Sequence, residues 1–233
     1  MSGAILYNIF VCWVVSFAGF FTAIHILKYW KKNKLAVSYG YFWLGMGILW
    51  LFVGIRTFFY WLGYPEIDRN IFLASEVFVA GHMIPMAYYL SLKIFKNEKT
   101  ANFSVALYAA GSIIFLYFVF NGSIGKALTS NWGTDFPQLD GAKIMFLIME
   151  GILFLGLLYD AINFLRQWIN KKNVELYLFF STLAVLIYAI GGYFDGQGYT
   201  VGWQLLLIRI MMMAGAFIAY LSYAWKSPND AQK

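Results

Sequence analysis

Seven stretches of predominantly apolar residues run through this chain of 233 residues, each close to the roughly 20 residues that a helix needs to cross a hydrocarbon core. They cover approximately Ala4 to Leu27, Tyr39 to Gly63, Ile71 to Lys93, Phe103 to Phe120, Lys143 to Arg166, Glu175 to Phe194 and Trp203 to Trp225. Inside a bilayer the backbone must pair within the segment that carries it, so runs of this length read as helices. Only 12% of the residues are charged, against roughly 25% in a soluble domain, which leaves too little polar surface for a water-soluble fold. The expected architecture is all-α: a single polytopic membrane domain over residues 1–233, with seven transmembrane helices, short loops and the lipid bilayer as its solvent.

A net charge of +6 is compatible with nucleic-acid binding in principle, but the basic residues collect beside span ends. Lys28, Lys31, Lys32 and Lys34 follow the first span; Lys93, Lys96 and Lys99 follow the third; Arg166, Lys171 and Lys172 follow the fifth; Lys226 and Lys233 follow the seventh. The other side holds Arg69, Lys126 and Lys143 among Glu66, Asp68, Asp135, Asp140 and Asp195. Basic residues mark the cytoplasmic loops, so the N-terminus is expected outside and the C-terminus in the cytoplasm of a bacterial or archaeal cell membrane, with no nucleic-acid partner. The opening residues MSGAILYN lack the basic region of a cleavable signal peptide, so the first span is expected to remain as an anchor. The lone Cys12 excludes an internal disulfide.

The chain also resembles itself. TAIHILKYW (Thr22 to Trp30) matches DAINFLRQW (Asp160 to Trp168), AGHMI (Ala80 to Ile84) matches AGAFI (Ala214 to Ile218), and Gly63-Tyr64 matches Gly198-Tyr199. A common offset of about 134–138 residues points to a tandem duplication. Two helix triplets, residues 4–101 and 143–225, would then share one orientation through a linker helix at 102–122, a 3+1+3 plan known from parallel-repeat transporters. Within that linker, Ala109, Ala110, Gly111 and Ser112 are small enough for close helix approach.

Ionisable residues inside spans are the candidates for function, because a charge in hydrocarbon costs several kcal/mol unless it is paired. The third span alone carries Glu76, His82 and Pro85. Counted from the cytoplasmic span ends, Arg56, Glu76, Glu150 and Arg209 each lie about 16 residues in, roughly 24 Å at the helical rise. Two cations and two carboxylates at one level would form the floor of an outward-facing cavity for a small polar or zwitterionic ligand. The alternatives are inter-helix salt bridges among the four, or arginines reaching outward to the headgroups.

Asp160 and Asn163 lie near the cytoplasmic end of the fifth span, opposite Thr22 and His25 in the repeat. They form either a second polar cluster or a set of residues solvated at the interface. His82 sits before Pro85, where its ring either contacts a ligand or bonds a carbonyl freed by the proline. The longest loop, NGSIGKALTSNWGTDFPQLDG, is external and is either a connector or a lid.

Several chemistries lack their groups. No lysine lies in a span interior for a retinal Schiff base, the two histidines differ in depth by about eight residues and so do not pair as haem ligands, and no metal-ligand spacing or catalytic motif occurs. No cofactor and no enzymatic activity are expected.

The second and third spans, FWLGMGILWLFVGIRTFFYWLG and NIFLASEVFVAGHMIPMAYYLSLKIFKNEK, resemble the seven-helix sensor regions at the N-termini of bacterial histidine kinases and diguanylate cyclases. The likeness rests on a glycine-spaced aromatic helix followed by Gly81, Pro85, Tyr88, Tyr89 and Lys93. It implies an input module for an external or membrane-dissolved signal, partnered here by a separate cytoplasmic effector. A sensor or receptor-like protein is thus the leading expectation. A small-solute or proton transporter and an accessory subunit of a membrane complex are the alternatives.

Overall fold

The computed structural model describes residues 3–170, 175–196 and 203–224. Lys171, Lys172, Gly198-Tyr199, Trp225, Lys226 and Lys233, which entered the charge and repeat readings, lie outside them. The chain is about 85% helical and has seven helices long and apolar enough to cross a membrane. In order these are α1 (Gly3–Tyr29), α2 (Lys34–Trp61), the paired α3 (Pro65–Gly81) and α4 (Met83–Phe95), α5 (Glu98–Phe120), α6 (Asp140–Ile169), α7 (Leu176–Gly196) and α8 (Trp203–Ala224). Between α5 and α6 the long loop forms a two-stranded hairpin, β1 (Leu128–Ser130) and β2 (Gly133–Asp135).

Helices α2, α3 and α5 start several residues earlier than hydropathy alone places them, because capping residues, or a proline, rather than apolar ones set them. Asn33 accepts the amide of Ala36 at the start of α2. Pro65 opens α3, where a missing N–H costs nothing, and Glu66 and Asp68 occupy its first turn. The third crossing is interrupted once. Pro85 cannot donate to the carbonyl of Gly81 and its ring crowds that turn, so α3 ends at Gly81 and Pro85 falls in the first turn of α4, where no donor is needed.

Consecutive helices pack side by side, and α8 returns to α1 to close the bundle. The approach of α1 to α2 is backbone to backbone: a Cβ on Gly19 would stand 3.1 Å from the Cα of Gly47. Ser16 Oγ donates to the carbonyl of Gly47 at 2.7 Å across the same contact. In α5, Gly111 admits Met145 and Met149 of α6, and Ser112 Oγ donates to the carbonyl of Ala80 at 3.1 Å. Ala110 is exposed instead. Helices in lipid gain nothing from hiding apolar surface from one another, so such close contacts and inter-helix hydrogen bonds hold the bundle.

The interior is aromatic and hydrogen-bonded. Tyr39 donates to the carbonyl of Ser181 at 2.9 Å, Tyr89 pairs with the Ser181 hydroxyl at 2.6 Å, and Trp50 Nε1 donates to the Tyr188 hydroxyl at 2.8 Å. The outer surface is apolar: Ile144, Ile148, Ile152 and Leu155 form one exposed stripe along α6, the face such a helix turns to acyl chains.

Candidate functional site

Arg56 on α2, Glu76 on α3, Glu150 on α6 and Arg209 on α8 all line one cavity of about 130 Å³. They are not paired with one another. Arg56 Nη1 donates to Asp68 Oδ1 at 3.2 Å, its Nη2 donates to the carbonyl of Thr134 at 3.0 Å, and Asp135 lies 4.0 Å from the same nitrogen. Its guanidinium also lies over the rings of Phe72 and Phe136, at 5.3 and 5.8 Å. Arg209 faces Asp195 at 3.9 Å and lies 4.5 Å from the ring centroid of Trp50. The two glutamates stand apart from both arginines: Glu76 accepts from Gln138 Nε2 at 2.9 Å, while Glu150 Oε2 is buried with no hydrogen-bond partner among the described residues.

The hairpin loop belongs to this site. Ser130, Gly133, Thr134, Asp135, Phe136 and Gln138 all reach the cavity, so the segment acts as a roof and is more than a connector. Its position follows from specific contacts. Asn8 Nδ2 donates to the carbonyl of Trp132 at the hairpin tip at 2.7 Å, Phe136 lies against Phe72 with ring centroids 4.9 Å apart, and Thr134 donates its hydroxyl to Asp68. At Gly133 the backbone has φ +146°, and an added Cβ would meet Thr57 at 3.3 Å. Glycine lets the turn lie this close to α2.

Asp68, Asp135, Asp195 and Gln138 are the residues that the sequence reading left on the outer surface. Asp68 is fully buried; the signal for it was Pro65, which starts α3 a full turn ahead of the apolar window. For Gln138 no sequence signal exists, because its contact depends on the path of a long loop. Asp135 in that loop is held above the ordinary carboxylate range, first by burial and then by the nearby Asp195 carboxylate, with Arg56 and Arg209 acting in the opposite sense.

His82 lines the cavity, and its Nδ1–H donates to the carbonyl of Phe78 at 2.7 Å. That carbonyl is one turn behind the histidine and is not the Gly81 carbonyl that Pro85 leaves without a donor. Pro85 itself lies off the cavity, in a separate groove with Tyr41 and Tyr88.

The inner cluster forms with different members from those the repeat aligned. Asp160 accepts from Lys93 Nζ at 2.6 Å and from the Thr182 hydroxyl, and Lys93 also donates to the carbonyl of Leu178 at 2.7 Å and to Thr182 at 2.6 Å. Lys93, counted as a topology charge, is therefore a bridge from α4 to α6 and α7. Thr22 instead donates to the carbonyl of Ala216 at 3.1 Å, His25 packs against Tyr29 and Tyr220, and Asn163 is exposed.

Among the described residues no group of three or more His, Cys, Asp or Glu side chains is arranged to hold a metal ion. Comparison with family models, curated proteins and solved structures finds no match to the chain.

Proposed function

We propose that this is a non-catalytic, receptor-like protein of the cell membrane that binds a small polar or zwitterionic molecule in the cavity beneath the hairpin. The observation that carries the reading is the state of the cavity's polar atoms. Among the described residues, Arg209 Nε and Nη1 are buried donors without partners, and Glu150 Oε2 and Gln138 Oε1 are buried acceptors without partners. Buried polar atoms are normally satisfied, and a molecule bearing both an anionic and a cationic group supplies what both sets lack.

The placement of basic residues beside span ends supports an external N-terminus, with the hairpin on the outer face and the Lys93 cluster on the cytoplasmic side. In the 3+1+3 arrangement α1 to α4 and α6 to α8 are the two triplets and α5 the linker. The contacts of the cavity reach α2, α3, α6 and α8, so a ligand with different affinity for two arrangements of these helices shifts their populations. The likeness of the second and third spans to kinase and cyclase sensor regions supports a separate cytoplasmic effector as the receiver of that shift.

The test is thermal stability of the purified protein in maltoside micelles with α-amino acids and betaines as probes. At least one probe raises the melting temperature of the wild type, and Arg209→Gln removes the rise. A flat response to every zwitterion in both proteins overturns the reading.

The interruption of the third crossing at His82 favours a second reading, a transporter in which the triplets rock about the cavity. Proton or solute flux in liposomes holding this protein alone, lost in Glu76→Gln, selects it.

A further inference from the structure

A second cavity, of about 340 Å³, lies between α6 and α7 and is lined by Leu147, Gly151, Phe154, Ala189, Tyr193 and Phe194 among others. Its walls are apolar, and Ile190, Tyr193 and Phe194 on its rim are exposed on the surface that faces lipid. Among the described residues, Glu150 is the single one that lines both this crevice and the central cavity. We propose that this crevice is a second subsite, open to the bilayer, and that its occupant is a single-tailed lipophilic ammonium compound with its ammonium group on Glu150 and its tail between α6 and α7. The proposal goes beyond the ligand-binding reading above, with which it shares the Glu150 carboxylate.

Three observations bear on it. The wall between the two cavities is thin: a Cβ on Gly192 of α7 would stand 3.6 Å from Glu150 Oε1, so the carboxylate reaches the α7 backbone where glycine leaves room. The crevice is open beside it, since a Cβ on Gly151 would meet nothing within 4 Å. Glu150 Oε2 is buried without a partner among the described residues, although Arg56 and Arg209 line the same central cavity.

Each observation narrows the occupant. An acyl chain alone fills an apolar crevice but leaves that oxygen bare, and a carboxylate or phosphate headgroup would meet a like charge. An ammonium group satisfies the oxygen and is attracted to aromatic faces such as those of Phe154, Tyr193 and Phe194. Its alkyl tail gains affinity with each methylene it buries.

The experiment measures equilibrium binding of radiolabelled decylammonium and methylammonium, whose N–H groups can donate to Glu150, to the full chain in maltoside micelles, where no lipid headgroup competes. Wild type, Glu150→Gln, Gly151→Trp and Ala189→Trp are compared, so that simple partition into micelles cancels between proteins. The expected result is a loss of about tenfold or more in decylammonium affinity in Glu150→Gln, the size of one charge-assisted hydrogen bond. A similar loss is expected in either tryptophan variant, with the zwitterion response of the central cavity retained in both. Equal decylammonium binding in wild type and Glu150→Gln means that acyl chains alone fill the crevice, and overturns the proposal. Equal affinity for the two probes, or tryptophan variants that bind as the wild type does, overturns the crevice subsite while leaving the central-cavity reading intact. Should zwitterions also fail to bind the wild type, the broader reading falls with it.

Discussion

Helix α6 carries two carboxylates in opposite circumstances. Near its C-terminal end Asp160 accepts from Lys93 at 2.6 Å and from Thr182, and Lys93 has two further acceptors. In its N-terminal half Glu150 has a buried oxygen with no partner among the described residues. The first arrangement is complete in itself and ties α4, α6 and α7 together. The second leaves an acceptor unmet among the described residues. Saturation marks a structural charge in a bilayer, and an orphaned atom marks one available to a ligand.

Removing one member from each cluster is the strongest way to break this comparison. Lys93→Met should destabilise the protein by about 3–5 kcal/mol, because it leaves Asp160 buried without its counter-ion. The double variant Lys93→Met/Asp160→Leu should recover most of that loss. Both are read from chemical unfolding in micelles, and a loss in the single variant no larger than that of an exposed lysine would end the contrast. Glu150→Gln should leave the unfolding free energy unchanged or raise it, since no hydrogen bond is lost and a buried charge costs stability when unpaired. A large destabilisation there would give Glu150 a structural partner.

The smallest effect concerns the roof. The folded protein holds the Asp135 carboxyl above its ordinary value, so it binds that proton more tightly than the unfolded chain does. Stability therefore falls as pH rises from the ordinary carboxylate value through the raised one. Asp135→Asn should flatten the melting temperature across that acidic window, by an amount worth less than about 1 kcal/mol for a group that is only partly buried. An unchanged pH profile in the variant would place the titration elsewhere.

Much of this architecture was legible in one dimension. Apolar runs of bilayer length specify helices because the backbone has no other way to pair in hydrocarbon, and the seven runs match seven helices. Counting depth along rods of constant rise brought Arg56, Glu76, Glu150 and Arg209 to one level, and the four line one cavity.

What stayed hidden depended on chain paths and on long side chains. Asp68 and Gln138 sit in or beside polar segments whose course hydropathy does not record. Lys93 looked like an interface charge because its Cα lies in the last turn of α4, although its flexible stem carries the ammonium group inward to Asp160. The actual partners of the two arginines were thus aspartates at span ends and in loops, the residue class that charge counting assigns to solvent.

The interruption at His82 has a mechanical consequence. The third crossing is two levers in series: α3 bears Glu76 and is tethered through Gln138 to the hairpin, and α4 bears Lys93 and is bolted to α6 and α7. The joint is seated on Gly45 of α2, where even a methyl group would stand 2.9 Å from the Cβ of His82. The hairpin and the Lys93 cluster are therefore linked along this crossing through one residue, and the closeness of its seat limits how far the two levers can turn against each other.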